Sequence, residues 1–480
     1  MKGSNAALAG TTRRLHPVSL LFFAEKTAKS MAHALPLIPL IGVLVSIAFG
    51  ERVNGWTLAI VMISVVFMLV LGLGWLRWYR FTYVVKNGKL YIEQGIWFRK
   101  QSWISKEKVM SVELTVSLYQ RPFGLTSLLI GIAGAEEAVV ELSCMSKAEA
   151  ERIRKEMTGS LLSRKEAEGG ELKRISLHFN DLLSYSITSA RIGIALAVLG
   201  AIVARFDDFK AVFDLWAFIA EAFGSYWYIK FPILIMAAAW FSAVILTILM
   251  DYHFRLERDG DQLLIKRGLL QKKASVIPLR RIQAVKVVEN PLRRPFGLVT
   301  VYAVIAGKTN EDTRTVVLFP LLKAARLNGF LKSYVPGFEW PEKWSGGPTP
   351  FARSHFLLLP VLLASFIAIP GLIWLPGYYA GCALLLPMIA ALWGELRYKQ
   401  SAWSVEGTQL AILYGGISRR QVCIPKNRMQ WCSLSQTAWQ ERRGCATLRV
   451  AVAAGSDPAI FAIRHSPQVK LGEMLEFLSK

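Results

Sequence analysis

The chain has 480 residues, of which 53% are hydrophobic and only 19% charged, and it carries a formal net charge of +23. That apolar fraction exceeds the range of ordinary soluble domains and predicts a membrane protein, so the basic excess must lie on surfaces that meet water or anionic lipid. Five cysteines, Cys144, Cys382, Cys423, Cys432 and Cys445, are odd in number and form no Cys-x-x-Cys pair, which argues against a secreted disulfide framework and for buried thiols of a reduced compartment.

Residues 1–33 are polar and basic around a short apolar patch and lack the order of a cleavable signal peptide, so they read as a cytoplasmic segment. Apolar runs follow at 34–50, 56–75, 192–206, 231–250, 356–375 and 377–393. At about 1.5 Å per residue each approaches the thickness of a bilayer core. They predict three transmembrane helix pairs, 34–75, 192–250 and 356–393. The link inside each pair is poor in Lys and Arg, whereas Arg80, Arg174, Arg258 and Lys399 crowd the outer ends. The positive-inside rule therefore puts both termini, and the stretch after every pair, in the cytoplasm. Trp75, Trp78, Tyr226, Trp227, Tyr228, Tyr378 and Tyr379 read as interfacial anchors. Residues 159–191 read as a linker ending in an amphipathic segment on the membrane surface, with Arg191 able to snorkel, and 337–355 as a second linker.

The soluble stretches 76–158, 251–336 and 394–480 read as three copies of one domain once Gly95, Gly268 and Gly415 are set in register. Four residues on stand the basic pairs Arg99-Lys100, Lys272-Lys273 and Arg419-Arg420, and nine on stand Ile104, Ile277 and Ile424. Thirteen on come Lys108, Arg281 and Arg428, and twenty-nine on come Gly124, Gly297 and Gly444. Before the register glycine, alternating strands meet at Asn87-Gly88 and Asp259-Gly260, pairs suited to tight hairpins. Each copy closes on a helix-periodic segment, the first with Ser146 as its N-cap. "RPFG" ends at Gly124 and at Gly297, but Arg442-Arg443 replace Pro-Phe before Gly444, so only the glycine reads as demanded by the turn.

Through "IPLRRI" at Ile277–Ile282, its counterparts from Ile104 and Ile424, and the two "RPFG" turns, the chain resembles the YdbT-like bacterial membrane proteins with type 2 bacterial pleckstrin-homology (PH) domains, over nearly its whole length. The resemblance implies a polytopic membrane protein in which each transmembrane pair is followed by a PH-like β domain: two orthogonal antiparallel sheets with a C-terminal helix. It also implies the cytoplasmic face of a bacterial inner membrane, a smaller single-domain PH-like membrane protein as partner, and a part in the cell-envelope stress response.

No convergent acid, base, nucleophile or metal set stands out. His16, His33, His178, His253, His355 and His465 are scattered, and neither a P-loop nor a Gly-x-Ser-x-Gly elbow occurs, so neither an enzyme nor a metal or other cofactor is expected. The rival class is a transport or lipid-translocating protein with regulatory PH-like domains. Pro360, Pro370 and Pro387 interrupt the third pair, yet charges stand only at span edges. The ligand-binding candidates are Arg99, Lys100, Lys108, Lys272, Lys273, Arg281, Arg419, Arg420 and Arg428, for anionic lipid or a protein partner. On hairpin turns of a tethered domain each cation offers about 1 kcal/mol against an anionic surface. Their plainer role is solvated charge that keeps a sheet edge soluble. The aromatics lie mainly at span ends, so nucleic acid is not expected. The expectation is a membrane-anchored scaffold or sensor for protein partners, with membrane lipid as a secondary ligand and a homo-oligomer left open.

Overall fold

A computed structural model describes residues 13–32, 55–86, 88–96, 98–132, 139–158, 173–189, 227–306, 315–374, 383–454 and 457–479, with a few single positions besides. The predicted spans 34–50 and 192–206 lie outside these, as do Asn87, Arg191, Tyr226, Tyr378, Tyr379 and Cys382. The chain divides into two compact units, residues 1–170 with 271–273, and residues 171–270 with 274–480.

In the first unit, helix α1 (Ser19–Ala32) lies along the long helix α2 (Gly55–Arg80). A Cβ at Gly74 would come within 3.1 Å of the Ala24 backbone, so a small residue is what lets the two helices close up. Strands β1 (Thr82–Lys86), β2 (Lys89–Gln94) and β3 (Lys100–Ser105) form one antiparallel sheet. Strands β4 (Val109–Val116), β5 (Leu125–Ile132) and β6 (Val139–Ser146) pair antiparallel in turn, and helix α3 (Lys147–Thr158) follows. Strand alternation turns Leu90, Ile92, Ile104, Val112, Leu114, Leu128, Ile130 and Leu142 inward, where they are buried together with Ile153 and Met157 of the helix. Ser146 caps that helix as expected, its Oγ accepting from the Glu149 N–H at 3.3 Å.

The second unit holds two more copies. Strand β7 (Lys173–Ser176) and helix α4 (Phe179–Ile187) precede helix α5 (Trp227–Asp251). Next come β8 (Arg255–Asp259), β9 (Gln262–Arg267), β10 (Lys272–Pro278), β11 (Ile282–Glu289), β12 (Leu298–Ile305), β13 (Thr315–Lys323) and helix α6 (Leu327–Tyr334). Helices α7 (Ala352–Trp374) and α8 (Leu385–Lys399) lead into β14 (Ala402–Glu406), β15 (Gln409–Gly415), β16 (Arg419–Pro425) and β17 (Met429–Ser435). A short helix α9 (Ala438–Glu441), β18 (Cys445–Val452), β19 (Ala459–Pro467) and helix α10 (Gln468–Ser479) complete the chain. The final copy buries Leu410, Ile412, Val422 and Ile424 of one sheet against Leu448, Val450 and Ile463 of the other, with Leu471 and Met474 of α10 closing the core.

Two details differ from the sequence reading. The hairpin in the second copy pairs Asp259 with Gln262, so its two-residue loop is Gly260–Asp261, one position later than Asp259-Gly260. The stretch 159–191, read as linker and interfacial segment, contains β7, which pairs antiparallel with β8 across some eighty residues of chain, Lys173 opposite Arg258. The same pre-helix pairing recurs as single bridges, Arg13 with Tyr83 and Gly346 with Trp403. Each domain is therefore bound to chain on both sides of its helices. A four-residue strand whose partner is distant leaves no periodicity to read.

Strand β11 of the second copy pairs antiparallel with β16 of the third, Val285 opposite Cys423 and Glu289 opposite Arg419. A six-stranded sheet, in the order β13–β12–β11–β16–β15–β14, results. Cys423 is fully buried among the second copy's core residues.

Among the described helices, Ile233–Asp251 and Ala352–Pro370, 19 residues each, are long and apolar enough to cross a membrane. Helix α7 packs along α8, and a Cβ on Gly394 would strike the Phe356 carbonyl, so glycine sets their closest approach. Arg353 Nε meets Glu395 Oε2 at 2.9 Å between the same two helices. On α4, Leu182 and Tyr185 are buried while Phe179, Leu183 and Ile187 are exposed, the two-faced pattern of an interfacial helix.

Candidate functional site

The register glycines mark where each domain returns to its preceding long helix. Gly95, Gly268 and Gly415 have φ of 125°, 103° and 156°, and a Cβ at Gly95 or Gly415 would strike the carbonyl three residues on, Phe98 or Ser418. In the second copy Gly268 N–H donates to Tyr252 O and Leu269 N–H to Leu249 O, both at 2.8 Å, and Arg267 pairs with the buried Asp251 at 2.8 Å. In the first, Arg80 Nη1 donates to Ile96 O at 2.5 Å. In the third, a Cβ at Gly416 would lie 2.6 Å from Trp393 Nε1 of α8. Gly124, Gly297 and Gly444, at φ 62°, 60° and 61°, each close a helical turn in the left-handed region before a strand, a conformation that glycine adopts without strain.

The nine candidate cations do not converge. The basic pairs were expected on hairpin turns, but Lys100, Lys272, Lys273, Arg419 and Arg420 lie on strands, at the starts of β3, β10 and β16, with Arg99 just before β3. Two basic residues in sequence on a strand point to opposite faces, so a pair cannot act as one cationic clamp. Arg99 meets Glu93 at 3.4 Å and Arg419 meets Glu289 at 3.7 Å, while Lys100 and Lys272 are exposed and Lys273 is half-buried. Lys108, Arg281 and Arg428 each end a one-turn helix between the two sheets of their copy. Arg428 Nη1 donates to Arg280 O at 2.7 Å, and burial, then the neighbouring Arg280, lowers the Arg281 pKa.

One of the nine, Arg420, does enter a site. It lines a cavity of about 570 Å³ in the third copy, between the lower ends of α7 and α8 and the edge of β14, β15 and β19. Arg397 of α8 and Arg464 of β19 line it too, with Phe356, Trp393, Trp403, Tyr414 and Phe461 among the aromatic walls. No Asp or Glu lines it, and none of the three arginines forms an ion pair among the described residues. Arg397 is held over the Trp393 ring at 4.8 Å and the Phe356 ring at 5.8 Å. Volume and composition match a site for a small anionic or amphiphilic ligand. Sequence reasoning missed Arg397 and Arg464 because they stand on separate elements with no spacing relation to Arg420.

A second set, also missed, lies four residues before the second glycine: Gln120, Arg293 and Gln440, all nearly fully buried. Each donates to the hydroxyl three residues after that glycine: Gln120 Nε2 to Ser127 Oγ at 2.7 Å, Arg293 Nη1 to Thr300 Oγ1 at 2.6 Å, Gln440 Nε2 to Thr447 Oγ1 at 2.8 Å. The two glutamines also reach residues of positive φ, Cys144 (57°) and His465 (54°). Arg293 instead bonds the approach helix, Nε to Thr188 Oγ1 at 2.7 Å and Nη2 to Tyr185 O at 3.0 Å, with its guanidinium 4.6 Å from the Tyr185 ring. The polar residue at a fixed offset, followed by Ser or Thr, was the signal that could have found this set.

Two three-stranded halves closed by a helix, repeated on successive long apolar helices, define a membrane-associated PH-like architecture. The chain belongs to the Bacterial PH domain family, whose model matches residues 34–160, 194–335 and 358–472. It is 28% identical over 442 residues, 87% of this chain and 89% of the relative, to the transmembrane protein YdbT of Bacillus subtilis (strain 168). No solved structure matches the chain. It is thus a YdbT-like membrane protein with three bacterial PH domains.

Proposed function

We propose that the chain is a multi-pass protein of a bacterial inner membrane, with three transmembrane pairs and both termini in the cytoplasm, and that it acts without catalysis as a scaffold or sensor by binding other proteins through the strand edges of its PH-like domains. The observation that carries this reading is the β11–β16 pair, in which one PH-like domain receives the third strand of another along the first strand of its second sheet. In the third copy the corresponding strand is β17, which stands at the edge of a three-stranded sheet among the described residues, with Gln430 and Trp431 exposed. An edge with unspent backbone donors and acceptors favours strand addition. A partner built like the second copy's neighbour, a PH-like domain on its own membrane anchor, has the strand to offer, and tethering both to one bilayer raises their effective concentration.

The test is photocrosslinking from Gln430 and Trp431 of the full-length chain in native membranes, with reporter fusions after Gly134 and Gly307 to fix topology. A discrete protein adduct on a PH-like partner, with cytoplasmic reporter signals, supports the reading. Lipid adducts alone refute the partner, and periplasmic reporter signals refute the orientation.

A further inference from the structure

The three arginines of the third copy's cavity have no full counterpart in sequence at the matching positions of the other copies. Along the aligned strands, Leu448 faces Ile463 in β18–β19 as Leu128 faces Leu142 in β5–β6 and Val301 faces Phe319 in β12–β13. The residue after each partner is Arg464, Ser143 or Pro320. The helix position eighteen before the register glycine is Arg397, Arg77 or Met250, and the second member of the basic pair is Arg420, Lys100 or Lys273. The third copy alone has arginine at all three of these positions, and Gly416 holds the turn close enough to Trp393 and Arg397 to shape the cavity wall they line.

Cations gathered without acids are mutually repulsive in the empty site, a cost that a bound anion removes. The planar guanidinium fork of arginine can bond two oxygens of a phosphate at once, which the point charge of lysine does not. The same cavity is lined by Ile417 and Ile460, 66% and 53% exposed, and by Trp393, 40% exposed on a helix whose upper part is apolar. Charge inside and apolar surface on the helix side describe an amphiphile, not a free ion.

We propose that this cavity takes the phosphate headgroup of an anionic lipid, with Arg397, Arg420 and Arg464 on the phosphate and the acyl chains leaving along Trp393. This lipid site stands apart from the scaffold reading, since it needs no protein partner.

Native mass spectrometry of the full-length chain in detergent, titrated with phosphatidylglycerol, phosphatidylcholine or glycerol phosphate, tests it. The expected result is one phosphatidylglycerol bound in preference to phosphatidylcholine, weakened about tenfold by Arg464→Gln or Arg420→Gln, weakened less by Arg464→Lys, which keeps the charge but not the fork, and unaffected by Arg449→Gln, which removes an exposed cation outside the cavity. Slow alkylation of Cys423 shows that each variant is folded. Equal binding of the two lipids, wild-type affinity in the Gln variants, or an equal loss in Arg449→Gln overturns the site. Glycerol phosphate binding as tightly as the lipid overturns the lipid as its source.

Discussion

Lys286 is the residue whose removal most directly probes the seam between the second and third domains. It lies in β11 opposite Val422 of β16, where burial and then the neighbouring Arg420 push its ammonium down from 10.5 to about 8. One pKa unit corresponds to about 1.4 kcal/mol between protonation states, so carrying this charge into the seam at neutral pH costs about 3 kcal/mol. Lys286→Met keeps the aliphatic stem and removes that cost. The sign with pH follows from the lowered value: between about 8 and 9 the closed seam gives up the Lys286 proton before the opened one does, so wild-type stability rises with pH there and the Met variant lacks that rise, while above 9 the raised thiol of Cys423 in the same seam acts in the opposite sense.

Cys423 reports the opening. It stands one residue from Val422, is fully buried, and burial pushes its thiol up to about 12, so it is inert while the seam is closed. A gain of about 3 kcal/mol slows its alkylation at neutral pH by about 150-fold, the rate following the population of the opened form. Peptide mapping after maleimide labelling reads the rate at this cysteine alone. Labelling of Lys286→Met at the wild-type rate or faster would falsify the idea that a buried cation weakens the seam.

His465 is held down at about 4 by burial, with the facing His355 of α7 and the adjacent Arg464 adding to the shift. Its folded value lies below the ordinary 6.5, so its contribution is whole above pH 6.5 and is lost as pH falls towards 4, by about 3 kcal/mol; thermal unfolding of the full chain weakens over that range and His465→Gln flattens the slope, whereas an unchanged slope counts against it. At Arg293, substitution by Gln, the residue its counterparts carry, retains the bond to Thr300 but not those to Thr188 and Tyr185, while Lys has no fork to satisfy three acceptors. Arg293→Lys therefore costs about 2–4 kcal/mol in urea denaturation and Arg293→Gln costs less, and the reverse order would sink the reasoning.

The repeat was legible because local backbone demands it. Gly95, Gly268 and Gly415, and Gly124, Gly297 and Gly444, hold positive φ wherever the domain is built, so selection at those sites needs no tertiary context. Strand alternation and the Ser146 cap are local for the same reason. The β11–β16 seam was not legible, because edge pairing is decided by which strands the helices bring together and either strand reads as an ordinary half-buried one. The cations misled by adjacency: Arg419 and Arg420 are neighbours in sequence but go different ways, one to Glu289 across the seam and the other into the cavity. Arg464 could have been found by comparing the copies, since it stands where the others have Ser143 and Pro320, but the gaps between β5 and β6 and between β12 and β13 hide that alignment until the strand register is known.

Once the copies are aligned, the differences separate what the fold needs from what each domain adds. All three need the glycines and a buried donor beside the turn, which is why Gln120, Arg293 and Gln440 persist as donors while their distal partners change. The second copy spends its donor on the approach helix, binding Tyr185 and Thr188, and yields β11 to its neighbour, so its polar features face inward on this chain. The third keeps β17 at a sheet edge and gathers three arginines where its helices meet its sheet. Pro-Phe is lost before Gly444 in that same copy, and the cation that takes its place, Arg443, stacks 5.0 Å over Phe351 at the foot of α7. The turn before Gly444 is thereby tied to the foot of the helix that walls the cavity, as the turn before Gly297 is tied through Arg293 to α4.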